Sequence, residues 1–269
     1  MPWYRSLLIL LVTSLAIPPL GLVLLWMRTG TRLIAKLAGT LLIAAVTLAH
    51  LFLLWGLRIE MAGSGIRPLF TFTTPDRRDA RVEENRAAMR HSPPPDSTPA
   101  AAAPAGSPLN SDSTYWSDFR GPGRVGVYQE MPILTAWPSA GLPRLWKQPV
   151  GGGYASLVVA QGLAFTIEQR RDQEVVAAYD LLTGREKWTS SWKAQFRESM
   201  GGDGPRATPV WDDTRLYALG AEGELRCLDA STGTTLWRKN ILEDNDAANL
   251  TWGMSNAPLV VDGKLIVLP

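Results

Sequence analysis

Two uncharged apolar stretches open the chain, at residues 6–27 and 37–57, and nothing as apolar follows. Each is long enough to cross a hydrocarbon core of about 30 Å as a helix, so the pattern predicts a transmembrane helical hairpin over 1–58. Pro18-Pro19 should kink the first span near its middle. A cleaved signal peptide is the alternative for that span, because Arg5 precedes it; no small-x-small cleavage pattern follows, and the apolar run continues past the prolines. Residues 59–91 then read as a juxtamembrane stalk. Its charged run, Asp76 to Arg86 behind Thr74-Pro75, predicts a helix polar on nearly all sides and held by i,i+4 ion pairs in solvent. From 92 to 113 Pro, Ala and Ser dominate, a composition that cannot bury enough apolar surface to pay for order, and this is a linker.

Beyond 114 the pattern changes to short runs of β-formers between turn residues. Leu157-Val158-Val159, Pro209-Val210-Trp211 and Pro258-Leu259-Val260-Val261 begin three units, each followed by a turn and a second strand. Asp262-Gly263 is a strong two-residue hairpin signal. The first unit has a few extra residues, which a longer second turn at Gln169 to Gln173 would hold. A motif then repeats after about 49 residues: Asp180, Thr183, Gly184 and Trp188 return in register as Asp229, Thr232, Gly233 and Trp237. Asp-x-x-Thr-Gly supplies side-chain oxygens for backbone N–H groups and a glycine for positive φ, so each copy is strand, tight turn, strand. The Trp on the outgoing strand can pack into the seam between one sheet and the next. Four short strands per unit at this period describe a β-propeller blade, with blades at about 157–193, 208–241 and 257–269. Trp146 lies in a similar outgoing strand, Leu145 to Val150, with no turn or earlier strand before it.

The strand, Asp-x-x-Thr-Gly-x-x-x-Trp, strand pattern resembles the pyrroloquinoline-quinone (PQQ) type repeat of quinoprotein dehydrogenases and of the propeller lipoprotein of the outer-membrane assembly machinery. Trp116 to Pro122 resembles the opening segment of secreted propellers of that group. The resemblance implies an all-β propeller of seven or eight four-stranded blades, in which a strand such as that of Trp146 completes the last blade. The sequence holds two blades, a half blade and that unpaired strand, so the expectation is a piece of a longer protein, with 114–269 an incomplete propeller; closure by assembly with other chains is the alternative.

Charge adjusts this reading mainly at the membrane. Net charge is only +2, which gives no support to a nucleic-acid partner. Arg28, Arg32 and Lys36 crowd the connector between the spans without an acid, which puts the connector in the cytoplasm and both ends outside. The expectation is a two-pass inner-membrane protein with its propeller on the periplasmic side. His50, in the second span, has no intramembrane acid as a partner and reads as a packed side chain.

Chemistry is sparse. The single Cys227 excludes an internal disulfide, a CxxC pair and a four-Cys zinc site, and its strand position reads as a small buried residue. Both histidines lie outside the propeller. Asp203, Asp212, Asp213 and Asp262 fall in separate turns, where carboxylates cap backbone, and no metal site is expected. Gly151-Gly152-Gly153 and Gly201-Gly202-Asp203-Gly204 lack the lysine of a phosphate loop and read as turns between blades. The most promising surface is the loops leading into successive blades, Met200 to Arg206 and Trp252 to Asn256, with Arg206, Trp252 and Asn256 as ligand or partner residues and no catalytic residue named. The sequence therefore supports a membrane-anchored binding or assembly scaffold with a protein partner on a propeller face. A PQQ-dependent alcohol or sugar dehydrogenase is the alternative, with PQQ implied by the resemblance only. That family pattern includes adjacent cysteines, which this chain lacks.

Overall fold

Pro18 decides how the first apolar segment folds. A residue before proline is pushed out of the helical region, and Ile17 sits at φ −136°, ψ 75°. Two ten-residue helices result, α1 (Leu7–Ala16) and α2 (Pro18–Met27), in place of the single span expected over 6–27. The computed structural model describes residues 6–61, 68–71, 75–91, 114–129, 133, 135–142, 144–198 and 201–269. Arg5, the linker 92–113 and Met200 lie outside the described residues. The chain divides into two compact units, 1–74 and 75–269.

In the first unit α3 (Leu33–Leu53) is the one described helix long and apolar enough to cross a membrane. Leu10, Leu24, Leu25 and Ile43 form its small core. His50 Nδ1 lies 2.8 Å from the Val46 carbonyl of its own helix. Strands β1 (Arg58–Met61) and β2 (Pro68–Thr71) then pair antiparallel.

The second unit begins with α4 (Pro75–His91), which is not the solvated helix its composition suggests. Val82 is 2% exposed and Asp79 is buried. The reason is that the sheet it meets is itself charged there. Arg86 pairs with Glu186 at 2.7 Å, Asp79 Oδ2 accepts the Arg171 N–H at 3.0 Å, and Asn85 donates to Gln148. A polar helix face is thus satisfied by protein instead of water.

The first blade is a five-stranded antiparallel sheet, β3 (Thr114–Trp116), β4 (Val158–Ala160), β5 (Leu163–Arg170), β6 (Gln173–Asp180) and β7 (Glu186–Lys193), in that order. The extra residues of this unit lengthen β5 and β6 to eight residues each and leave a two-residue turn, Arg171-Asp172, where a longer turn was expected. The outer position beside β4 is taken by Thr114 to Trp116, whereas the Trp146 segment forms no strand. The second blade runs β8 (Val210–Asp212), β9 (Arg215–Leu219), β10 (Glu224–Asp229) and β11 (Thr235–Asn240). A hairpin, β12 (Leu259–Val261) and β13 (Lys264–Ile266), starts the third unit, and both central residues of its turn have positive φ, Asp262 at 49° and Gly263 at 68°.

The core lies between the sheets. Phe165, Ile167, Val176 and Trp192 of the first blade meet Leu216, Ala218 and Leu228 of the second, and Leu219, Leu225 and Met254 continue it toward Leu265 and Val267. Cys227 is buried there, and burial pushes its thiol pKa up.

Candidate functional site

Each repeat motif builds the same turn. Asp180 Oδ1 accepts the Thr183 N–H at 2.9 Å and the Thr183 hydroxyl at 2.8 Å; Asp229 Oδ1 does the same with Thr232 at 2.9 and 3.0 Å. Burial acts against the Asp180 charge, but its bonds from Thr183 outweigh that, and its pKa falls. At Asp229 the hydroxyls of Ser231 and Thr232 lower the pKa. A β-bulge at the same place in both repeats, Ala178/Tyr179 and Cys227/Leu228, sets the register that leaves Ala178 opposite Trp188 and Cys227 opposite Trp237.

The turn glycines have a second use. The Trp188 ring lies over Gly233 of the next blade and its indole N–H donates to the Ala230 carbonyl at 3.0 Å. Trp146 treats the first blade alike: its ring covers Gly184 and its N–H donates to the Leu181 carbonyl at 2.8 Å. A Cβ at either glycine would enter the indole. Trp237 packs on Tyr217 of its own blade at 6.0 Å. These motif residues are a blade-to-blade fastening.

The loops leading into the blades are organised by Arg206. Its guanidinium lies 4.7 Å from the Phe196 ring centre and 5.5 Å from that of Tyr154, while its two terminal nitrogens donate to the Gly204 and Gly202 carbonyls at 2.5 and 2.8 Å. Partial burial lowers its pKa. Two of its five N–H donors therefore hold the loop. Gly201 donates to Glu198 Oε2 and packs edge-on against the Trp252 ring, which stays 47% exposed. Gly253, at φ 72°, lets the next turn approach Phe196, and Met254 is buried with its N–H on the Ala221 carbonyl. Arg206 and Trp252 thus belong to one cluster. Asn256 is exposed beyond Met254 and, among the described residues, makes no side-chain hydrogen bond.

Two features were not legible as sites in the sequence. One is a polar cleft of about 380 Å³ between the start of α4 and the loops of the first blade, carrying Asp76, Arg78, Asp79, Arg171, Asp172 and Arg197 among its walls. Its residues come from segments about ninety to 120 positions apart, so no local pattern announces it. The other is a buried ion network: Arg170 binds Glu168 at 2.5 Å and Glu186 at 2.8 Å, with the Tyr179 hydroxyl 3.1 Å away. Burial opposes the Arg170 charge, yet Glu168, Tyr179 and Glu186 overcome that and raise its pKa; burial also raises that of Tyr179. The alternation of Glu168 and Arg170 on β5 was its only signal.

A carboxylated quinone needs an aromatic face to stack on and cations for its carboxylates. The apolar cavity of about 200 Å³ lined by Trp146, Ala155, Leu157, Ile167 and Tyr179 has no Lys or Arg in its wall, and the polar cleft of about 380 Å³ has arginines but no aromatic. Neither of these two cavities fits PQQ; a third cleft, of about 340 Å³, does bring an aromatic, Trp188, together with Arg90, Arg185 and Lys187. The described residues include no group of three or more potential metal ligands.

The fold and its turns define a PQQ-like β-propeller repeat region. Residues 171–269 match the family described as outer membrane protein assembly factor BamB. The outer membrane protein assembly factor BamB of Aliivibrio fischeri is 26% identical over 93 residues, 35% of this chain and 24% of that protein. The quinohemoprotein alcohol dehydrogenase of Comamonas testosteroni is 31% identical over 121 residues, 43% of this chain and 16% of the enzyme. The chain therefore spans a quarter or less of these relatives. Among solved structures, the Comamonas testosteroni enzyme aligns with a TM-score of 0.33 and 24% identity, over 43% of this chain and 17% of the enzyme. BamB from Moraxella catarrhalis aligns with a TM-score of 0.19 and 21% identity, over 42% and 40%.

Proposed function

We propose that the chain is a membrane-anchored scaffold whose propeller, on the periplasmic side of an inner membrane, binds a protein partner through the loop cluster around Trp252. The observation that carries this is the half-exposed Trp252 ring on loops held rigid by Arg206. A large aromatic that is already ordered loses little entropy on docking, and such residues dominate binding energy at interfaces. Asn256, exposed and without a side-chain hydrogen bond among the described residues, adds a polar rim group on the same stretch. Arg206 acts by positioning, since its bonds to the Gly202 and Gly204 carbonyls hold the loop. The anchor is α3, with the basic connector Arg28 to Lys36 in the cytoplasm.

The similarity to an assembly factor supports a scaffold, and the similarity to a quinohemoprotein dehydrogenase supports the alternative, a PQQ-dependent alcohol or sugar oxidoreductase. A photo-crosslinker at position 252 of the full-length protein in its own membrane should yield a discrete protein adduct that Arg206→Ala abolishes while the circular dichroism is retained. Turnover of alcohols or sugars with a dye acceptor, dependent on added PQQ and calcium, would instead establish the enzyme.

A further inference from the structure

The two short helices of the first apolar segment lie against each other. Gly21 of α2 meets the backbone of Ser14 in α1 so closely that a Cβ there would overlap it. Leu10 and Leu24, on either side of the break at Ile17, are buried in one cluster with Leu25 and Ile43. The chain therefore folds back at Ile17-Pro18. Ten residues of helix rise about 15 Å, half of a hydrocarbon core of about 30 Å, so neither helix can span it. We infer that α1 and α2 form a re-entrant hairpin that enters the bilayer from the cytoplasmic face and returns to it, leaving α3 as the single span and the amino terminus on the side of the connector. This rests on the proposed anchoring through α3.

Four further observations fit a half-depth hairpin in lipid. The buried residue of α3 is Ile43 (6% exposed), which lies seven positions from Lys36, about 10 Å along the axis and so within the half-depth that a hairpin of this length reaches. At the tip, Pro18 and Pro19 occupy the first two helical positions, where they remove two N–H donors that hydrocarbon could not satisfy, and Leu20 and Gly21 donate to the Ile17 carbonyl. At the base, Trp26 donates to Thr40 Oγ1 at 3.0 Å, and Lys36 donates to the Trp26 carbonyl at 3.1 Å, an aromatic and cationic pair of the kind that marks a membrane–water interface. The outer surface is apolar: Leu8, Leu15, Leu41 and Leu42 are all exposed. Lipid acyl chains are the occupant that this surface fits.

Charge also agrees. A hairpin puts Arg5 with Arg28, Arg32 and Lys36 on one face, whereas two full passes would strand Arg5 on the other.

Single cysteines in the full-length Cys227→Ala protein test the topology: Ser6→Cys before α1, Thr31→Cys in the connector and Asp244→Cys in the propeller. In right-side-out spheroplasts a membrane-impermeant maleimide should label D244C, and S6C and T31C only after permeabilisation. S6C labelled from outside with T31C protected means two full passes and overturns the inference. All three reacting from one side means that α3 does not cross, which overturns the anchoring as well. S6C and T31C outside with D244C inside keeps the hairpin and overturns its assignment to the cytoplasmic face.

Discussion

Trp188 of the first blade donates its indole N–H to Ala230 of the second at 3.0 Å and covers the Gly233 face with its ring, so one side chain fastens two sheets through a turn. Gly233 has φ 75°, a conformation that costs an L-residue about 1–2 kcal/mol before any clash with the indole. Gly233→Ala should therefore destabilise the propeller by about 2 kcal/mol or more. Trp188→Phe, which keeps an aromatic but loses the bond, should cost about 1–2 kcal/mol. Urea unfolding followed by tryptophan fluorescence measures both; wild-type midpoints would remove the fastening role.

Glu174 predicts a pH dependence. It is fully buried on β6, accepts the Ala221 N–H at 2.8 Å through Oε1, and its Oε2 and the neighbouring Trp192 Nε1 each lack a partner in hydrogen-bond geometry among the described residues. Burial raises its pKa from 4.5 to about 7, with the Ala221 N–H and the Trp192 indole opposing in part. The native state then holds a proton that the unfolded chain releases near pH 4.5, so stability is greatest below that pH and falls as pH rises through about 7. The loss is at most about 3 kcal/mol. Glu174→Gln should flatten the curve between pH 5 and 8 and make the variant the more stable protein at pH 8. A slope of the opposite sign would refute the assignment.

Arg206 is expected to order its loop. Arg206→Ala and Arg206→Lys should both raise amide hydrogen exchange at residues 201–206, because lysine keeps the charge but not the planar fork that bonds Gly202 and Gly204 while stacking on Phe196. Lysine matching wild-type protection would mean that charge alone is at work.

Docking of α4 depends on Val82 and on the Arg86–Glu186 pair. Glu186→Ala leaves Arg170 and Arg86 without a shared carboxylate in a largely buried place, where breaking one partner costs about 3 kcal/mol. An Arg86→Ala, Glu186→Ala double-mutant cycle should show coupling of about 1 kcal/mol or more, and limited proteolysis should cut within 75–91 in the single variants before it does so in wild type. Strict additivity would place α4 in solvent.

Local chemistry made much of the propeller readable. Alternating β-formers located the strands, Asp262-Gly263 announced its hairpin, and the Asp180 and Asp229 turns form through bonds between residues three apart. Arg206 and Trp252 were legible as loop residues, but that Arg206 turns inward to Phe196 and Tyr154 was not, because its partners lie on separate segments. The helix α4 misled for a related reason: a helix polar on every side predicts solvent, yet a charged sheet face satisfied it as water would.

The sequence by itself determined the repeat, its turn chemistry and the apolar character of the N-terminal segment, since these depend on residues a few positions apart and on backbone preferences each residue carries alone. Only the tertiary structure decided that Trp188 lies over Gly233, that Glu174 is sealed beneath Ala221, and that Pro18 folds a helix back instead of merely bending it. Those outcomes turn on which distant surfaces meet and exclude water, and burial of that kind is a property of the assembled chain.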